Sequence, residues 1–150
     1  MGEVELAALL CAFLAGSDAE TRQYFDVNGI SRYVRVDCET ESHVIEIGLD
    51  GKSSSRDSVH QALFAASLTG KSPAVILIDR DGHEGRFEYE MRKVAPAAGV
   101  IYVTCSQAAI ERWSATAPSR GRSGNDLPRG QAGLACDLRA LLPEQVAEAG

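Results

Sequence analysis

Arg35-Val-Asp-Cys-Glu-Thr-Glu-Ser-His-Val-Ile-Glu-Ile-Gly-Leu-Asp50 alternates apolar and polar residues on both sides of Thr40 to Ser42. Val34 and Val36 on one side and Ile45, Ile47 and Leu49 on the other set a period of two, the mark of paired strands joined by a short turn. A turn centred between Glu41 and Ser42 puts position 37 opposite position 46. Directly opposed Cβ atoms lie about 4.5–5.5 Å apart on one face of a sheet, so Asp37 and Glu46 would meet as neighbouring carboxylates. Two such groups repel unless a proton or a cation lies between them, and a hard divalent ion such as Mg²⁺ suits oxygen ligands of this kind. The same register stacks Val36 with Ile47 and Cys38 with Ile45 on a core face. Two alternatives stay open at this level. A three-residue loop sends one acid to the other face, and Arg35, Asp37, Glu39, Val44 and Glu46 can equally form a mostly solvated outer face.

Downstream, Ser54 and Asp57 open a helix in which Val59, Ala62, Leu63 and Ala66 recur at i, i+3, i+4 and i+7. Gly70 and Pro73 end it. Ala74-Val-Ile-Leu-Ile78 is apolar at every position, as expected of a strand covered on both faces, and Asp79-Arg80-Asp81-Gly82 closes it as a turn. A helical segment from about Glu84 to Ala98, broken near Pro96, precedes a strand at Val100 to Thr104. Strands alternating with helices indicate an α/β layer fold.

Upstream, the apolar run Leu6 to Ala15 reads as a helix. The alternative is a degenerate export signal over residues 1–19, although Glu3 and Glu5 stand where a signal carries positive charge. Ser17 and Glu20 have capping-box spacing and predict a short helix from Asp18 to Phe25, ended by Asn28-Gly29. Residues 114–133 are rich in Ser, Gly, Pro and Arg, the composition of a flexible linker, and Leu134 to Ala147 restores a short helix split at Pro143. The expected organisation is an N-terminal helix (1–16), an α/β domain (17–113) and a flexible tail with a short C-terminal helix (114–150).

At 150 residues and 45% hydrophobic content the chain can bury one ordinary core, and no run is long enough to cross a bilayer. The formal charge is −6. Residues 114–150 balance four Arg against four acids, so the excess lies in residues 1–113 and argues against non-specific gripping of nucleic acid. Cys11, Cys38, Cys105 and Cys136 form no C-x-x-C and have no His at ligand spacing. They read as small hydrophobes in a reducing compartment, which gives a cytoplasmic expectation. Thr69-Gly70-Lys71-Ser72 resembles the end of a phosphate loop, but residue 65 is Ala and the order is helix then strand. Asp79-x-Asp81-Gly82 lacks the later ligands of a calcium loop. His43, His60 and His83 stand apart from one another and from Cys.

The order helix, hairpin with Asp37 and Glu46, helix, strand resembles the core of the PD-(D/E)XK nuclease superfamily over residues 17 to about 104. The resemblance implies an α/β, restriction-endonuclease-like core of helix, antiparallel strands, helix, strand, helix and strand, with an extra N-terminal helix and a flexible C-terminal tail. It also implies Mg²⁺ or Mn²⁺ held by Glu20, Asp37 and Glu46, where Glu20 takes the place of the acid on the family's first helix. Gln61 with Phe64 resembles the Gln-x-x-Tyr element of exonuclease-like branches. The family's lysine falls at position 48, where this chain has Gly48. Lys52, or Arg35 as a second candidate, would then supply the cation. The implied function is metal-dependent cleavage of nucleic-acid phosphodiesters. The alternative is a degenerate nuclease-like fold that binds a protein partner through the N-terminal helix or the C-terminal tail.

Overall fold

The computed structural model of the protein describes residues 1–14, 17–116 and 136–142. In chain order it contains α1 (Glu3–Phe13), β1 (Asp18–Val27), β2 (Ile30–Glu39), β3 (His43–Leu49), α2 (Asp57–Thr69), β4 (Ser72–Asp79), α3 (Arg86–Ala97), β5 (Ile101–Ser106) and α4 (Gln107–Thr116). The five strands form one mixed sheet in the order β1-β2-β3-β4-β5. The first three are antiparallel, and β3, β4 and β5 run parallel. Both parallel connections carry a helix, as crossovers between parallel neighbours require.

Helices cover both faces, which is why β3 and β4 are apolar nearly throughout. On one face Leu6 and Leu10 of α1 and Ile110 of α4 pack with Ile45, Ile76 and Leu138. On the other, Val59 and Ala62 of α2 meet Val75, together with Met91 and Ala95 of α3. Among the described residues no helix is long and apolar enough to cross a membrane. Gly70 adopts the left-handed conformation (φ 74°) that ends α2, as its position predicts.

Several expectations are corrected. Residues 18–25 are strand, not helix, because Asn28-Gly29 is the turn of a β1–β2 hairpin in which Val27 pairs with Ile30. Both turn residues have positive φ (52° and 80°), the conformation that makes Asn-Gly a favoured two-residue connection. Beyond Val36 this ribbon extends past the rest of the sheet, since β2 pairs with β3 only at Cys38↔Ile45 and Glu39↔Val44. Tyr24, Val27, Ile30 and Tyr33 are accordingly exposed on it. The helix α3 passes through Pro96 instead of breaking there, because Pro96 lies one residue from its end. Gln107–Thr116, which the sequence reading leaves without a helix, forms α4.

The cysteines are also corrected. Cys11 is bonded to Cys38 and Cys105 to Cys136, tying α1 to β2 and the C-terminal segment to β5. Cys136, Leu138 and Leu141, expected in a flexible tail, are buried in the main core. Half of the expected helix from Leu134 to Ala147 lies outside the described residues, as does the expected linker 114–133 beyond residue 116, its first three residues being the end of α4.

Replacing Gly29 with Ala is expected to cost about 1 kcal/mol, because a Cβ at φ 80° is strained even though open space surrounds it. Urea denaturation checks this, with Gly2→Ala as the unstrained control.

Candidate functional site

The β2–β3 turn fixes the register around Asp37. Thr40 N–H donates to the His43 carbonyl at 2.9 Å, and Thr40 Oγ1 accepts from His43 N at 2.9 Å and from Ser42 N at 3.3 Å. The threonine hydroxyl thus supports a Glu41-Ser42 turn that lacks Asn-Gly chemistry. One step beyond the pair Cys38↔Ile45 places Asp37 opposite Glu46.

At that step the ladder stops. Continued regularly, it would carry the Ile47 N–H to the Val36 carbonyl, but that N–H donates to Asp37 Oδ2 at 2.8 Å. The β1–β2 pairing also skips one position here, between Ala19↔Cys38 and Thr21↔Val36, and Glu20 in the gap has φ 53°. Positive φ at a non-glycine residue stores strain and marks a locally forced backbone. The pleat breaks too. Residues 36 and 38 of a regular strand share a face, yet Cys38 joins the α1-side core while Val36 packs with Val44 and Ala65. The expected stacking of Val36 on Ile47 is therefore not formed.

Glu46 is only 4% exposed, in a strand buried at all seven positions, so the alternative of a solvated outer face is rejected. Burial first, and then hydrogen bonding and charge repulsion with Asp37, push the Glu46 carboxyl up to about 9. At neutral pH it holds a proton beside Asp37.

A cleft of about 210 Å³ opens on the α1 side, with Glu3, Glu20 and Asp37 among apolar Val4, Ala7 and Ile47. Its acid from the first helix is Glu3, whereas Glu20, assigned to a helix by sequence, comes from β1. Glu20 is exposed and pairs with Arg35 at 3.7 Å. Lys52 Nζ reaches Glu3 Oε2 at 3.2 Å, so a cation does stand at the rim of the cleft. Glu46, between Ile45 and Ile47 of the α1-side core, leaves the other face of β3 and does not line it.

The three expected ligands therefore do not converge: Asp37 contacts Glu46, while Glu20 shares the cleft with Asp37 and pairs with Arg35. Among the described residues the one group of three or more acids, His or Cys whose ligand atoms all lie within 4.8 Å is elsewhere: Asp50, Asp79, Asp81 and Glu88. That cluster could hold a metal ion, and the sequence reading takes part of it for a turn. A Cβ at Gly48 would meet Ser58 Oγ at 3.4 Å and Leu77 Cδ1 at 3.5 Å, so position 48 faces the start of α2 at close quarters. Gln61 is exposed on α2 and does not line the cleft, while Phe64 packs edge-on against Phe25. No family model matches this chain, and no curated protein or solved structure matches it.

Proposed function

We propose that this chain is a nuclease-like domain of the PD-(D/E)XK kind, acting on nucleic-acid phosphodiesters with Mg²⁺ or Mn²⁺ at Asp37 and Glu46. The observation that carries this reading is the contact of two carboxyl groups where the β2–β3 ladder ends, beside an open cleft. The order of α1, three antiparallel strands, α2 and β4 supports it, because the superfamily core has that sequence of elements.

The donor set fits a hard cation, being all carboxylate oxygen. Asp37 and Glu46 would hold the ion directly, with Glu20 reaching it through water. Bound there, such an ion polarises a phosphate and lowers the pKa of its own water. Glu46 must give up its proton first, so binding strengthens as pH rises. Lys52, already at the rim, is the group that would offset charge at the phosphorus, a contribution made chiefly in the transition state. Gln61 would have to contact substrate from outside the cleft. The two disulfides favour an oxidising compartment over the cytoplasmic expectation.

Gly48 and the charge of −6 favour a second reading, a nuclease-like binding or assembly module without turnover. Digestion of plasmid and single-stranded oligonucleotides with and without Mn²⁺ separates the two. The proposed outcome is Mn²⁺-dependent cleavage that is absent in Glu46→Gln. Lys52→Ala should lose cleavage at least about 10²-fold and still bind Mn²⁺ in a calorimetric titration. Wild-type protein that binds Mn²⁺ but cuts nothing supports the module reading, and full cleavage by Lys52→Ala rejects Lys52 as the cation.

A further inference from the structure

The carboxyl ends of β3 and β4 bring together acids that the nuclease-like reading does not use. Asp50 follows β3, Asp79 ends β4, Asp81 sits two residues on, and Glu88 lies in the first turn of α3. One oxygen from each lies within 4.8 Å of the others. Asp50 is held by Arg80, whose Nε donates to Oδ1 at 2.7 Å and whose N–H donates to Oδ2 at 2.9 Å. Asp79 Oδ1 accepts the N–H groups of Asp81 and Gly82, and Asp81 Oδ1 accepts the His83 N–H at 2.9 Å, which closes the loop as a turn. Arg80 offsets one charge and leaves the other three facing one another.

Glu88 supplies the second observation. The residue is 4% exposed, and among the described residues its Oε1 is the one buried side-chain polar atom without a hydrogen-bond partner. A buried carboxylate oxygen left unsatisfied costs about 1–3 kcal/mol or more, and no hydrogen-bond donor from the described residues meets it. An oxygen-seeking cation would satisfy it and the repulsion around it together. The place is also right: ligands of parallel sheets bind outside the carboxyl ends of the strands.

We propose that Asp50, Asp79, Asp81 and Glu88 form a calcium site, separate from Asp37 and Glu46. Calcium suits four carboxylates of uneven geometry better than magnesium, which demands a near-regular octahedron and keeps its water. Carboxylates at the ends of two strands and on α3 would then be clamped together by one ion, fixing the β4–α3 loop.

Terbium tests this on the full chain, because it takes the same hard oxygen ligands and emits when excited through a nearby tyrosine. Tyr102 is placed for that, its hydroxyl donating to the Glu88 carbonyl at 3.4 Å. Wild type should show sensitised emission, displaced by calcium at lower concentration than by magnesium, and Asp37→Asn should keep the emission that Glu88→Gln loses. Glu88→Gln and Asp79→Asn should each bind at least about tenfold more weakly. Glu88→Gln removes a buried repelling charge, so its metal-free melting temperature should equal or exceed wild type, which excludes misfolding as the cause. If that variant does not fold, Asp81→Asn at an exposed position carries the test. No emission from wild type, emission unchanged in the acidic-cluster variants, or its loss in Asp37→Asn alone would each overturn the site.

Discussion

Glu46→Gln should make the metal-free protein more stable at neutral pH while depriving it of the proposed Mn²⁺ response. The wild-type carboxyl titrates at about 9 when folded and near 4.5 when unfolded. Folding therefore takes up a proton between these values, and stability is greatest below the lower one and falls as pH rises toward the upper one. The slope is about 1.4 kcal/mol per pH unit for one proton, which gives an upper figure of about 3 kcal/mol at pH 7. Gln keeps the shape of the protonated acid and can donate to Asp37, but it has no charge to lose. The variant should gain up to that amount at pH 7 and show a flatter profile between pH 5 and 9. Urea denaturation at four or five pH values measures both. A variant less stable than wild type throughout would mean that Glu46 is ionised and already stabilised by its surroundings.

The second large effect is expected from the disulfides. Cys11–Cys38 and Cys105–Cys136 span 27 and 31 residues. Closing loops of that length removes about 3–4 kcal/mol of unfolded-chain entropy each in the chain-entropy account. Reduction should lower the melting temperature by roughly 10 °C or more per bond. The double change Cys105→Ser with Cys136→Ser isolates the C-terminal strap, and Cys11→Ser with Cys38→Ser isolates α1. The latter pair matters for the cleft as well, since Cys38 adjoins Asp37 and α1 carries Glu3. Calorimetry with and without reductant is the measurement. A melting temperature unmoved by reductant that demonstrably frees four thiols would reject the stabilising role.

The hairpin register around Asp37 and Glu46 is legible to the extent that apolar alternation favours an even turn over a three-residue loop, and the pair Cys38↔Ile45 fulfils it. What hid the rest is mostly tertiary. The break at Asp37 involves a third strand, so no pattern in residues 35–50 reports it, nor the switch of Val36 to the opposite core. The spacing of Ser17 and Glu20 imitates a helix cap and hides β1, and Asn28-Gly29, the stronger signal for a hairpin, also serves to end helices. With that reading Glu20 is expected on a helix, whereas it lies on β1 and the acid that α1 brings to the cleft is Glu3. The cysteine pairs join residues about thirty apart with no local spacing to betray them. The Asp50 cluster collects acids from two strand ends and a helix, and only the parallel packing of β3 and β4 reveals it.

The outlying β1–β2 ribbon has a consequence for the order in which the molecule assembles. Its ladder joins residues close along the chain around Asn28-Gly29, the kind of local pairing that closes in about 1–10 μs. The parallel pairings bring together residues such as Ile45 and Ala74 and carry the entropy of longer loops. Asp37 and Glu46 are likewise joined through a short turn, whereas the covering of Glu46 comes from β4 and α2, which lie farther along the chain. The burial that favours the proton on Glu46 therefore belongs to the long-range half of the contacts, whereas its pairing with Asp37 belongs to the local half.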